Sequence, residues 1–319
     1  MENIMQLYLA PMEGITGHLV RNAFYHNFGC IDRYFTPFIP AAKRMNYKIL
    51  RDINPDNNTG ITLIPQLISN QSSEILDMIG QLKDFGYSEV NINLGCPSGT
   101  VTGKKRGSGM LQFPDELDRF LSEIYEKADV PVSIKTRIGF NNIEDWPRIL
   151  DIYVKYPMCE FIIHPRLRRE FYDGFTHLEA FEAAYNIDGG RLRPILCYNG
   201  DIWNMSCLDE VARRFPEVNT VMIGRGLLAR PDLACEIKGV HLADTRASLH
   251  RFVDEIYEGY LTIFSGEKDA VRHMKEIWAN LGKRFVDSDK LLKRMMKNQG
   301  ASEYQAIVTQ IFETLDLVP

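Results

Sequence analysis

Several short stretches carry side chains that could do chemistry. Cys96 stands in Asn91-Ile-Asn-Leu-Gly-Cys-Pro-Ser-Gly, where Gly95 and Pro97 fix a loop directly after an apolar run. A thiol so placed can attack as thiolate, or donate a proton as an acid near its free pKa of about 8.5. A proton donor must stay protonated, so a strongly cationic setting would count against that role. Lys135 lies in Ser133-Ile-Lys-Thr-Arg, inside an apolar run. A lysine buried there needs an anionic partner; a reduced flavin ring, a phosphate or a Schiff base would each suit it. His164 closes Phe161-Ile-Ile-His and reads equally as a packed core histidine or a cleft ligand. Gln66 has the same two readings. Asn199-Gly-Asp alone is a tight turn. With Gly224-Arg-Gly closing the next run, phosphate binding becomes the better reading, because glycine lets backbone N–H groups approach an anion and Arg225 can fork onto its oxygens.

These groups need strands to bring them together. Eight β-rich runs recur: Leu7 to Met12, Tyr34 to Ile39, Leu63 to Ile68, Glu89 to Gly95, Val132 to Arg137, Phe161 to Pro165, Ile195 to Gly200 and Thr220 to Gly226. Most are continuously apolar, as expected for strands buried on both faces of a parallel sheet. Helical patterns fill most gaps. Ser72 can cap one whose Ile75, Ile79 and Leu82 share a face and which Gly86 ends. Pro114 opens another with a Leu117, Leu121 and Ile124 stripe. Trp146, Ile149, Leu150 and Tyr153 mark a third, and Ser206 precedes a fourth containing Leu208, Val211 and Phe215. Eightfold strand–helix alternation predicts an α/β chain closed as a (β/α)8 TIM barrel. The rival, an open doubly wound sheet, usually carries G-x-G-x-x-G after its first strand; Pro11-Met-Glu-Gly-Ile-Thr-Gly is not that turn. Polar residues gather at the C-terminal strand ends, where barrel active sites form: Gln66; Asn93 and Cys96; Lys135 and Arg137; His164 and Arg166; Asn199 and Asp201; Gly224 and Arg225. Beyond about residue 245 the strands stop, and helices are expected over roughly 246–264, 269–285, 287–298 and 302–314. The expected organisation is a catalytic barrel over 1–240, a linker from Gly239 to Asp244, and a C-terminal helical bundle domain over 245–319.

Composition bounds the rest. No apolar run among the 319 residues is long enough for a membrane span. The start lacks the basic stretch and apolar core of a secretory leader. The six cysteines form no C-x-x-C pair, so a disulfide framework or structural zinc is not expected, and a reducing cytoplasm fits. A net charge of −5 argues against a non-specific nucleic-acid coat but leaves room for local basic patches.

The motifs Ala10-Pro-Met-Glu-Gly-Ile-Thr, Asn91-Ile-Asn-Leu-Gly-Cys-Pro-Ser, Ile134-Lys-Thr-Arg-Ile-Gly, His164-Pro-Arg, Asn199-Gly-Asp-Ile and Ile223-Gly-Arg-Gly occur in this order along nearly the whole chain. Together they resemble the tRNA-dihydrouridine synthases, flavin enzymes that reduce uridine in transfer RNA. The resemblance implies FMN at the barrel mouth, held by Pro11, Met12, Glu13, Gln66, Lys135, His164, Asn199, Gly200, Asp201, Gly224 and Arg225. It implies NADPH as the reductant, hydride passing from flavin N5 to uridine C6, and Cys96 protonating C5. Asn93 would orient the uracil, and the target base must leave its stack. Arg137, Arg166, Arg272 and Lys275 are expected to contact tRNA, and residues 245–319 to form a tRNA-binding unit. Residues 271–297 hold eight basic side chains against three acidic ones. A monomer with no metal is expected. The P-M-E-G and N-G-D-I-W variants resemble the bacterial branch acting on D-loop position 16.

With no His or Asp base spaced beside Cys96, and no second cysteine to share a metal, the thiol reads as a proton donor. Two stretches depart from the family pattern: Gly107-Ser-Gly-Met-Leu and the Arg-rich loop after His164. Both are expected to lie where substrate would. The rivals are a flavin barrel acting on a small molecule, similar to dihydroorotate dehydrogenase, and an RNA-binding protein without catalysis. A small-molecule enzyme would not need the basic helical tail, and the intact cysteine, lysine and flavin loops argue against the second rival.

Overall fold

The computed structural model describes residues 5–187, 194–298 and 300–318. Ten parallel strand segments build one sheet: β1 Gln6–Leu9, β2 Arg33–Phe35, β3 Ile39–Pro40, β4 Leu63–Ile64, β5 Gln66–Ile68, β6 Val90–Leu94, β7 Val132–Gly139, β8 Glu160–Leu167, β9 Ile195–Tyr198 and β10 Thr220–Ile223. They amount to eight staves. β2 with β3 and β4 with β5 are each one stave, the latter interrupted at Pro65, which has no N–H to donate. The Pro65 carbonyl still accepts from the Asn91 N–H, so the ladder continues across the break. β10 pairs with β1, β1 with β2, and β2 with β4, closing the ring.

Strand side chains alternate faces, and the two faces bury different cores. Outward residues such as Leu7, Leu9, Ile92, Leu94, Ile134, Phe161 and Ile163 pack under the helices. Inward residues Tyr8, Ala10, Phe35, Ile64, Ile162, Cys197 and Met222 fill the barrel. Cys197 is therefore a packing residue, as its place within a strand suggests. Following the inward parity upward, the same staves present Asn93, Lys135, His164, Asn199 and Gly224 at the C-terminal mouth. Pro165 is tolerated inside β8 because the register against β7 shifts there, between Arg137 and Gly139.

Helix ends differ from expectation in two places. Ser72 is the first helical residue of Ser72–Asp84, and its hydroxyl bonds Glu123 rather than capping. The helix Met205–Arg214 is capped by Asn204, which accepts from the Cys207 N–H. A further helix, Leu178–Tyr185, follows β8.

The tail consists of helices Thr245–Ile263, Glu267–Leu281, Asp289–Lys297 and Ala301–Thr314. It shares one continuous apolar core with the outer layer of the barrel. Phe252 meets Phe24 edge-on at 4.8 Å and Phe28 at 5.6 Å. Buried Arg284 forks onto Asp232 at 3.1 and 3.0 Å. Among the described residues no helix is long and apolar enough to cross a membrane. Because Phe252 is fully buried between the two parts, Phe252→Ala should destabilise the whole chain by about 3–5 kcal/mol. Urea unfolding should show one transition moved to lower denaturant, not a separate melting of the tail.

Candidate active site

A cleft of about 620 Å³ opens at the C-terminal mouth, lined among others by Pro11, Met12, Glu13, Asn93, Cys96, Lys135, Arg137, His164, Asn199, Gly200, Asp201, Gly224 and Arg225. Six strand ends thus meet in one place. Arg166 of β8 and Gln66 of β5 do not reach the cleft surface.

Gln66 lies beneath the floor. Its amide donates to Asn91 Oδ1 at 2.8 Å and accepts from Asn93 Nδ2 at 2.7 Å. Asn91 in turn donates to Ser133 Oγ at 2.9 Å. This buried ladder of amides fixes Asn93, whose Oδ1 accepts from the N–H groups of Gly95 and Cys96 at 3.1 and 2.9 Å. Gln66 thus supports Asn93 from beneath the floor. Gly107, at φ +56°, packs under the loop; an added Cβ would lie 3.0 Å from Cys96 Cβ. The segment Gly107–Gln112 is buried through Leu111 beneath Cys96, so its departure from the family pattern is a packing feature and not part of a substrate surface.

Cys96 itself is partly exposed to the cleft. Burial pushes its thiol above the ordinary cysteine value, outweighing the opposite pull of the Ser98 N–H, Arg137 and Lys135. The cationic setting is present, yet the thiol stays protonated at neutral pH. That is the condition for a proton donor.

Lys135 reaches the cleft from the middle of β7 and makes no hydrogen bond or ion pair among the described residues. Burial, then Arg137, lower its amine to about 8. His164 is held well below its ordinary value by burial and by Arg137, Lys135, Arg166 and Arg225, so it is neutral. Its Nε2 lies 3.3 Å from the Arg166 guanidinium, which can only donate. The ring proton is thereby assigned to Nδ1.

Two expected substrate contacts are engaged internally. Arg166 is fully buried, forks onto Asp201 at 3.0 and 2.6 Å, and donates to the carbonyls of Asp173 and Gly174. It cannot meet a macromolecule from there. Arg137 is 1% exposed and donates to the carbonyls of Gly95, Leu167 and Phe171, tying the cysteine loop to the loop after β8. Asp201 spends its oxygens on Arg166 and on Arg225, which reaches it at 2.9 Å, so it orients Arg225 rather than meeting an anion. Arg225 also lies over the rings of Tyr172 and Trp203 at 4.7 and 5.2 Å. Gly224 is closely packed: a Cβ there would sit 3.3 Å from Ala10 Cβ and 3.4 Å from Met12 Sδ.

The tail residues lie elsewhere. Arg272 is exposed and pairs with Asp269 at 3.0 Å. Lys275 donates to the carbonyls of Met296 and Asn298, closing the end of helix Asp289–Lys297, so it is a helix cap rather than a free cation. The exposed tail cations without an ion pair among the described residues are Arg251, Lys268, Lys283, Lys290, Lys293 and Lys297. Lys283 stands over Trp203 at 5.4 Å, beside the cleft. Sequence reasoning also missed Phe38, Tyr172, Trp203 and Asn280 in the lining. Tyr172 and Trp203 stood in the variant loops already noticed; Asn280 comes from a tail helix and gave no signal.

The charged form of Lys135 is penalised in the folded chain, since about 8 lies below the ordinary lysine value. The penalty is complete below pH 8 and fades as pH rises toward the unfolded value. Lys135→Met should therefore raise the unfolding free energy of the ligand-free protein at pH 7, by something on the order of 3 kcal/mol. The advantage should shrink between pH 8 and pH 10.5 in parallel denaturation series.

The family described as dihydrouridine synthase (Dus) matches residues 8–315. A probable tRNA-dihydrouridine synthase of Staphylococcus aureus is 25% identical over 97% of this chain and 93% of its own length. A tRNA-dihydrouridine(16) synthase of Pseudomonas syringae is 28% identical over 73% of this chain and 74% of its own. Among solved structures, morphinone reductase superposes with a TM-score of 0.51 at 11% identity, covering 75% of this chain and 87% of that one, which supports the barrel fold alone. With six motifs gathered on one barrel mouth and the family pattern spanning almost the entire chain, the protein belongs to the dihydrouridine synthase family of flavin-dependent oxidoreductases.

Proposed function

We propose that this chain reduces a D-loop uridine of tRNA to 5,6-dihydrouridine in the cytoplasm, using FMN reduced by NADPH. The observation that carries this reading is a protonated thiol, Cys96, sharing one cleft with an unpartnered buried amine, Lys135.

The residues present fit FMN. The cleft volume falls in the range of cofactor pockets, about 300–1,000 Å³. Lys135 would hold the electron-rich side of the ring, and an anion there would restore its full charge. Neutral His164 would donate from Nδ1. Gly200, Gly224 and Arg225, with Asn199 beneath them, would hold the phosphate, and Pro11, Met12 and Glu13 would border the ring. When bound, FMN supplies the hydride for uracil C6. Cys96 delivers the proton to C5, and its resulting thiolate is stabilised by Arg137 and Lys135. Asn93 sets the height of the cysteine loop and keeps one amide hydrogen for the uracil. Position 16 is the target we favour, from the Pseudomonas relative and the resemblance of the P-M-E-G and N-G-D-I-W stretches.

The tRNA would extend from the cleft over the tail. Lys290, Lys293 and Lys297 replace Lys275 as the proposed phosphate contacts, since each is exposed and none has an ion pair among the described residues. Changing all three to Glu should weaken tRNA binding and lower the salt slope by about 2–3. An unchanged slope would move the RNA surface elsewhere.

Purified protein should be yellow, and NADPH should bleach it. Cys96→Ala should keep the flavin and lose most turnover on otherwise modified tRNA, measured by mass spectrometry of digested nucleosides. Turnover should fall as pH rises past the raised thiol value. Undiminished turnover in Cys96→Ala overturns the proton-donor role. Mapping dihydrouridine in tRNA from a strain lacking the gene fixes the position.

A further inference from the structure

A second cavity of about 490 Å³ lies beside the cleft, walled by residues 13–20, 37–53 and by Tyr260, Ile263, Phe264 and His273 of the tail. It shares Glu13, Ile15 and Phe38 with the cleft, so the two are neighbours across one wall. Inside it is apolar and aromatic. His273 lies flat on Phe264, with ring centroids 4.4 Å apart and planes 3° apart. Lys43, Arg44 and Lys48, on the same segment, are exposed and make no hydrogen bond or ion pair among the described residues. Tyr47, 76% exposed, stands among them under the Arg51 guanidinium. Two acids are present as well. Asp52 is taken up by Arg21 and the His18 N–H, leaving Glu13 in the shared wall.

We infer that this chamber receives the base of a nucleotide adjoining the target uridine, so that the protein extracts two neighbouring bases, one into each cavity. The inference rests on the tRNA reading proposed above. A base offers flat faces to the Phe264–His273 stack and Phe38. Its phosphates meet Lys43, Arg44 and Lys48 outside. This division, apolar within and cationic at the edge, matches single-stranded nucleic acid. A dinucleotide spanning both cavities would instead lay its pyrophosphate across the shared wall, against Glu13.

The test uses the full-length, FMN-loaded enzyme and tRNA transcripts made abasic at each neighbour of the reduced uridine. His273→Ala removes one ring of the stack; Lys48→Glu changes only an exposed side chain. Each should raise KM for tRNA about tenfold while kcat changes by less than about twofold. Flavin content and KM for NADPH should stay as in the wild type. One abasic neighbour should raise the wild-type KM about tenfold and add nothing in His273→Ala. Additive effects at both neighbours, or an unchanged KM for tRNA in both variants, overturn the chamber's role. A rise confined to KM for NADPH assigns the chamber to the dinucleotide and also overturns it. If His273→Ala loses flavin, Lys48→Glu with the abasic series decides. Absence of dihydrouridine with the wild-type enzyme overturns the tRNA reading itself, and this inference with it.

Discussion

The mouth of the barrel holds more positive charge than its own acids neutralise. Lys135, Arg137, Arg166 and Arg225 converge there, and among the described residues Asp201 alone is paired with any of them, serving Arg166 and Arg225. Charge of this density in a poorly hydrated place is costly unless shared out. Arg137 and Arg166 are tolerated because backbone carbonyls accept most of their N–H groups. Lys135 has no such relief. Burial, helped by the field of these cations, keeps His164 neutral, and the same field leaves an anion-shaped deficit at the centre of the cleft. The chemistry depends on that deficit, because a site already neutral would gain nothing from an electron-rich ring or a phosphate.

The thiol is governed by a contest in which burial wins over the same cations. Had Cys96 been nearer solvent, Arg137 and Lys135 would have pulled it toward thiolate and toward nucleophilic chemistry. The depth of the loop therefore selects the role. That depth is set by Asn93 and Gly107, one accepting from the loop's N–H groups and the other allowing Ser108 and its neighbours to pack directly under it.

Most of the architecture was legible because parallel strands buried on both faces read as apolar runs, and eight of them fell within a few residues of the eight staves. The cleft residues were legible for a related reason: a polar side chain at an inward position in an otherwise apolar strand stands out. What could not be read was how each polar group spends its hydrogen bonds. Arg166 and Arg225 look alike in sequence, yet one is fully buried on Asp201 and two carbonyls while the other faces the cleft. Lys275 looked like an RNA contact because its segment is basic, but two free carbonyls at a helix end claim its amine. Gln66, expected among the flavin contacts, stands in an amide ladder that sequence gave no sign of. Partner choice of this kind is a tertiary property, invisible to spacing. The second cavity was equally hidden, since its walls come from residues more than 200 positions apart.

The unbroken core between barrel and tail has a mechanical side. Phe252 wedged between Phe24 and Phe28, with the Arg284–Asp232 pair behind it, leaves no layer of water along which the two parts could slide. The span from the tail's cations to Cys96 is then a fixed length, like the throat of a caliper. If the tail holds the RNA as proposed, a substrate is accepted when its own curvature bridges that span, and the folded outline of the RNA, more than its letters, then decides which uridine arrives at the thiol.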